Sequence, residues 1–407
     1  MHSNRPTTSM RHRVRRSATI ATAILVAISF PSGGVARTGP LGSPVFEPAP
    51  SIKPAADAVL DLFKLKPVVA LGDDHGLQQE EAFYSELVRD PRFAGQVGNV
   101  VVEFGGSAAQ DIIDRYVNGA DVPFTELRHV WTDVVGWIPG PFALGYVNFF
   151  ANVRAANMKL PPEHRIKVWL GDPQIDWTKI NSFHDLEPML SRRDDNIAAI
   201  IIDEILKKHQ KALLIIGSAH LGRMESGSGV IPAPLVAKLN KGYPNALTVV
   251  SPFTGYIEPG CNARFVGWAK DWPVPAIVWP IDGTSLKSEL QLPGCSYISP
   301  EQVERIKNVA QAGPRPGQGG PKLYASPAEI IAAANRQKSG VNSDAILYLG
   351  PPDTLTESPW EPSIYLDLDY FKETNRRAQC CVPIPTVLNW HEIVQQNSVL
   401  PRKFQSR

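Results

Sequence analysis

Three continuous apolar runs along this chain each stop at an acid or a histidine beside glycine. They read Val68-Val69-Ala70-Leu71-Gly72-Asp73-Asp74-His75-Gly76, then Val100-Val101-Val102-Glu103-Phe104-Gly105-Gly106, then Leu213-Leu214-Ile215-Ile216-Gly217-Ser218-Ala219-His220. Unbroken runs with many β-branched residues suit strands covered on both faces, as in a parallel sheet flanked by helices. Between the runs the period changes. Leu77, Phe83, Tyr84, Leu87 and Val88 approximate a helical stripe, with Gln78, Glu81 and Glu86 off it, and Asp90-Pro91 ends the helix. Ile112, Ile113, Tyr116 and Val117 mark the inner side of a second helix. Ile197, Ile200, Ile201 and Ile205 mark that of a third, over residues 194–209. Further strands are predicted at 165–170, ending in Gly171-Asp172-Pro173, at 247–250, and at 345–349 as a late addition to the same sheet. Strands alternating with helices predict right-handed βαβ units. The fold class is therefore α/β, a three-layer α/β/α arrangement around a mainly parallel sheet.

The first residues read as a targeting segment. Arg11, Arg13, Arg15 and Arg16 precede an apolar stretch from Ala18 to Phe30, and Gly34-Val35-Ala36 offers a small-residue cleavage site. The stretch is too short for a typical spanning helix. Residues 1–36 are read as a signal peptide, which makes the protein exported, periplasmic or secreted, with no stable membrane anchor after cleavage. Residues 37–53 read as a Pro/Gly/Ser linker and 54–255 as the α/β core. Residues 256–407 read as a loop-rich extension packed on the same core, with the low-complexity stretch GPRPGQGGP at 313–321 and a helix over 327–336. Residues 121–160 hold Trp131, Trp137, Phe142, Tyr146, Phe149 and Phe150 among Pro and Gly. Packing of this insertion on the core is the favoured reading, and a helical cap over the site is the alternative.

A formal charge of +1 on 407 residues gives no electrostatic footprint for nucleic acid, leaving a small-molecule or peptide substrate as the expected partner. The four cysteines lack Cys-x-x-Cys spacing, which argues against structural zinc. In an exported chain they can pair. Cys261–Cys295 is the first choice, because both lie in Pro/Gly-rich stretches, although three complete pairings are open.

The candidate chemistry lies at the ends of the three runs. In open parallel sheets, ligands bind beyond the carboxyl ends of the strands. If these strands are neighbours, His75, Glu103 and His220 meet there. His75 precedes a helix whose positive end disfavours imidazolium, so a neutral imidazole able to take a proton from water is expected, oriented by Asp73 or Asp74. Glu103 needs a partner if buried: an arginine such as Arg193 or Arg223, or His75, with proton donation as a further role. His220 would stabilise developing charge or bind a metal, and Asp172 is a second-tier acid. Two imidazoles and a carboxylate can equally hold a divalent metal, which makes His75, Glu103 and His220 the candidate ligands. Each residue alone also suits a packing or capping role. Three polar ends on three apolar strands favour a shared site. There is no Gly-x-Ser-x-Gly elbow, no His-Glu-x-x-His, no P-loop and no dinucleotide glycine fingerprint.

The order Leu71-Gly72-Asp73-x-His75-Gly76, a strand ending at Glu103, and Gly217-x-x-His220 resembles the superfamily of erythromycin esterases, ChaN-like haem-binding proteins and Tiki/TraB proteins. Arg193-Asp194 and Gly229-Val230-Ile231-Pro232 make residues 65–240 most similar to the ChaN-like branch. The resemblance implies that His75 activates water, that Glu103 is the second-strand glutamate, and that His220 is the later histidine used in metal-dependent peptide cleavage. Asp73 stands where many relatives carry glutamate. No tyrosine matches a haem ligand. The expectation is an exported hydrolase of an ester, lactone or peptide bond, using His75, Glu103, His220 and Asp73, with or without a metal. The alternative is a haem- or metal-binding protein without turnover.

Overall fold

The computed structural model describes residues 47–136, 142–226, 229–312, 327–381 and 387–404. The signal-peptide reading, Trp137 and the stretch 313–321 fall outside them. Eight strands form one sheet, in chain order β1 (Ser51–Pro54), β2 (Val68–Asp73), β3 (Asn99–Gly106), β4 (Lys167–Asp172), β5 (Ala212–Gly217), β8 (Leu247–Phe253), β9 (Ala276–Trp279) and β10 (Ala345–Tyr348). Between β5 and β8 lies a separate hairpin, β6 (Arg223–Ser226) and β7 (Gly229–Pro232). The spatial order is β1-β9-β10-β8-β2-β5-β3-β4. Strands β10, β8, β2, β5, β3 and β4 run parallel, and β9 runs antiparallel to both β10 and β1. The mainly parallel α/β class expected from the runs is what forms.

Why the runs are unbroken follows from the packing. On β2, Val69 and Leu71 join the core beneath helices Ala55–Leu65, Gln78–Arg89 and Leu144–Asn157. Val68 and Ala70 join a second core with Ile197, Ile201, Leu235 and Leu239 on the other face. Successive side chains point to opposite faces of a strand, so a sheet covered on both sides leaves the middle of these runs no solvent-facing position. The helix read over 194–209 forms as an α-helix, Arg193–Ile200, continued by a π-helical turn, Ile201–Leu206.

The aromatic insertion packs as core. Trp131, Phe142, Tyr146, Phe149 and Phe150 are buried, and Tyr146 stacks on Phe104 of β3 with ring centroids 4.3 Å apart. Ser51–Pro54, read from composition as the end of the linker, is instead an edge strand on β9. The C-terminal third supplies β9 and β10 and a third apolar cluster around Phe253, Phe265 and Tyr348. Cys261 and Cys295 are bonded beside that cluster, and the adjacent Cys380 and Cys381 are bonded to each other. No described helix is long and apolar enough to cross a membrane.

One segment of this third crosses back over the first βα turn. Glu357 bridges Leu77, and the Ser358 amide donates to the Gly76 carbonyl at 2.8 Å. Trp360 bridges Ala143, and the Leu144 amide donates to the Pro359 carbonyl at 2.8 Å. The segment thus ties the turn after His75 to the start of helix Leu144–Asn157.

Candidate active site

Strand order brings the predicted residues together. β5 lies between β2 and β3, so the residues after β2, at the end of β3 and after β5 share one carboxyl-end rim. The backbone at Gly217 marks the meeting point. A Cβ built there would lie 2.9 Å from His75 Nε2 and 3.2 Å from Glu103 Oε2. Only glycine leaves room for both groups.

Each histidine is oriented by an aspartate. His75 Nδ1 donates to Asp73 Oδ2 at 2.5 Å, and His220 Nδ1 donates to Asp194 Oδ1 at 2.5 Å. The opposite nitrogen of His220 faces Glu103 Oε1 at 3.5 Å. Glu103 itself is buried. Its Oε1 accepts from Arg193 Nη2, and its Oε2 accepts from the Gly217 amide. Arg193 also donates from Nε to Asp172 Oδ1 at 2.7 Å, while the Val135 amide holds Asp172 Oδ2. Of the two arginines considered for Glu103, Arg193 is the partner. The resulting line runs Asp73–His75, Glu103, His220–Asp194, with Arg193 and Asp172 beneath Glu103. The His75 side chain is 36% exposed and that of His220 23%, so both reach the rim while the carboxylate between them stays covered.

Electrostatics revise two expectations. Burial alone would push the Glu103 carboxyl up, but Arg193, His220 and His75 together hold it well below the usual carboxylate range. A group so firmly ionised does not fit the proton-donor role expected for it. Burial alone would depress His220, but Glu103 and Asp194 push it up to about 9. His220 is therefore the imidazole at this rim that carries a proton at neutral pH. His75 was expected to be kept neutral by the helix start. Burial does act in that direction, but Asp73 and Glu103 outweigh it and raise the imidazole above its ordinary value. A helix terminus acts as about half a charge, and Asp73 contributes a full one in contact. Asp172 is shifted up by burial in spite of Arg193.

Asp73 has partners that the sequence reading missed. Tyr84 Oη donates to Oδ1 at 3.0 Å, and Tyr146 Oη donates to Oδ2. The helix carrying Tyr84 also buries Glu80 and Glu81, the latter expected on the polar side. The stripe did contain a signal. Positions 80 and 81 lie three and four residues after Leu77 and before Tyr84, on the same face. Tyr146 lies on a distant helix, and nothing local in the sequence marks it.

The donor set does not fit a metal. Glu103 is the carboxylate of the set, and Arg193 and a backbone amide already hold it. Among the described residues, no group of three or more His, Cys, Asp or Glu side chains is arranged to hold a metal ion. Nor does His220 suit axial ligation of haem, because its Nε2 faces the buried ion pair. The metal-ligand expectation for His75, Glu103 and His220 does not carry over to this geometry.

Fold and rim define an α/β protein with a polar constellation at the carboxyl ends of a mostly parallel sheet. No protein-family model and no curated protein matches the sequence. Among solved structures, the chain is similar to a protein from Bacillus cereus, with 11% identity over 76% of this chain and 96% of that one and a TM-score of 0.41. It is also similar to ChaN of Campylobacter jejuni, described with cofacial haem bound, at 17% identity over 50% and 86% with a TM-score of 0.30. A third is the C-terminal region of Pasteurella multocida toxin, described with a thiol-protease-like triad, at 15% identity over 49% of this chain and a TM-score of 0.33. The chain spans 24% of that toxin chain and 36% of another chain described as a bacterial protein toxin. ChaN is thus among the solved structures to which this chain is similar.

Proposed function

We propose that this chain is a hydrolase of an ester, lactone or peptide bond that works by paired acid–base catalysis. The observation carrying this reading is the convergence of two Nδ1-anchored imidazoles on one buried carboxylate at the strand ends. Neutral His75 takes a proton from water at Nε2 as the water oxygen bonds to the carbonyl carbon. Asp73, fixed on Nδ1, holds the ring in place and stabilises the imidazolium that forms. His220, protonated at neutral pH, gives its Nε2 proton to the leaving oxygen or nitrogen as that bond breaks. Glu103 keeps His220 charged, and Arg193 keeps Glu103 charged. Proton transfer from His75 through solvent to His220 restores the starting state.

The test is a panel of ester, lactone and peptide substrates assayed across pH. A substrate that is turned over should give a bell-shaped kcat/KM profile. Its acidic limb should lie above the ordinary histidine value of 6.5, and its basic limb near 9, where His220 loses its proton. His75→Ala should lower the rate by roughly 10²–10⁴-fold with the fold intact. Undiminished turnover in His75→Ala would reject the assignment.

A further inference from the structure

We infer that Tyr84 and Tyr146 are positioning residues for this site, and that their hydroxyls, not their rings alone, set the His75–Asp73 pair. The inference rests on the proposed acid–base reading for its functional meaning, but its geometry stands apart from it.

Asp73 is a buried carboxylate at the end of β2, and three donors converge on it. Tyr84 Oη reaches Oδ1 from helix Gln78–Arg89. Tyr146 Oη and His75 Nδ1 both reach Oδ2, the first from helix Leu144–Asn157 and the second from the βα turn. These donors come from three separate elements, so the carboxylate plane cannot turn without breaking one of them. Both tyrosines are fully buried. A Tyr hydroxyl in such a place is retained only with an acceptor, since an unpaired one loses its water and gains nothing in return. Tyr146 also stacks on Phe104, the residue after Glu103, so one side chain touches both the carboxylate behind His75 and the strand that carries Glu103. The crossing segment at 357–361 fastens the Gly76 turn to the start of the Tyr146 helix, which fixes the distance between the two anchors.

The consequence is electrostatic as well as geometric. Two O–H donors spread the negative charge of Asp73 and so weaken its pull on the imidazolium. Removing one hydroxyl leaves more charge facing His75 and should raise its pKa. The other charged groups acting on the ring are Glu103 from β3, which raises it, the neighbouring Asp74 in the βα turn, and Arg193 from the helix after residue 192, which lowers it. His220, in the turn after β5, faces Glu103 and is held by Asp194 of that same helix. Neither tyrosine substitution touches any of these groups, but Tyr84 also hydrogen-bonds the buried acid Glu80, so Tyr146→Phe is the cleaner variant.

The experiment is an NMR titration of the His75 ring without substrate, in the full-length wild type and in Tyr84→Phe and Tyr146→Phe, with Tyr146→Leu as the packing control. Each Phe variant should raise the His75 pKa by about 0.5–1 unit, while the His220 titration moves less. Where a substrate is in hand, kcat/KM at neutral pH should fall with the acidic limb displaced upward, and activity should recover at higher pH. A His75 titration unchanged in both folded Phe variants overturns the inference. Should Tyr84→Phe fail to fold, Tyr146→Phe alone decides, because Phe keeps the stack on Phe104. Absence of turnover on every substrate would reject the hydrolase reading and leave this result standing.

Discussion

Replacing Glu81 by glutamine should leave the protein about as stable as wild type at pH 5 and make it distinctly more stable at pH 8 and above. Glu81 is 2% exposed, and neither carboxyl oxygen has a partner in hydrogen-bond geometry among the described residues. The Ser358 hydroxyl and the Gly145 amide relieve it in part, but burial and the nearby Asp73 push its pKa up to about 8. The folded chain therefore keeps a proton that the unfolded chain releases from about pH 4.5 onward. Its contribution is fully present below that value and is lost as pH rises towards 8. Each pH unit in this window costs about 1.4 kcal/mol, or about 5 kcal/mol across it. Glutamine resembles the protonated acid and does not ionise, so the variant escapes the cost. Urea unfolding of both proteins at intervals from pH 5 to 9 gives the difference directly, and subtraction cancels every other titrating group. A difference that stays flat with pH would show that Glu81 does not hold its proton in the folded state.

Two further changes probe the rim. Gly217→Ala places a methyl 2.9 Å from His75 Nε2 and 3.2 Å from Glu103 Oε2, so both must move. A displacement of that order costs roughly 10²-fold in rate, read as kcat/KM beside an unchanged circular dichroism spectrum; full activity would mean that the two groups need not share this spot. Arg193→Gln strands Glu103 and Asp172 without their cation and should cost about 3–5 kcal/mol at pH 7. Because Glu103 is held low in the wild type, its contribution exists above the ordinary carboxylate value and fades in acid. The deficit of the variant should therefore shrink only below about pH 4.5, and an equal deficit at pH 7 and pH 3 would count against the charge argument.

How much of this was legible in the sequence depends on range. Val68 to Leu71 and Leu213 to Ile216 announced strands covered on both faces, because continuous apolar runs have no other economical use in a sheet. Their shared carboxyl-end rim followed from the strands running parallel. The insertion of β5 between β2 and β3 did not, since crossover length leaves several strand orders open. His75, Glu103 and His220 were visible because each interrupts an apolar run. Asp194 and Tyr146 were not, because each sits in an ordinary helix and acquires its role only through a partner on a distant element. Glu81 was misjudged for a different reason. Charge is usually a sign of exposure, and here the helical period and the residue type gave opposite answers. The period was right.

The crossing of residues 357–361 over the Gly76 turn has a consequence for the order of events during synthesis. The anchors of His75 lie between residues 73 and 146, but the stretch that fastens them follows more than 200 residues later. A nascent chain can assemble the middle of the sheet early and still lack a braced reaction centre. Competence would then be a late, single event, reached only once that distant stretch has emerged and docked.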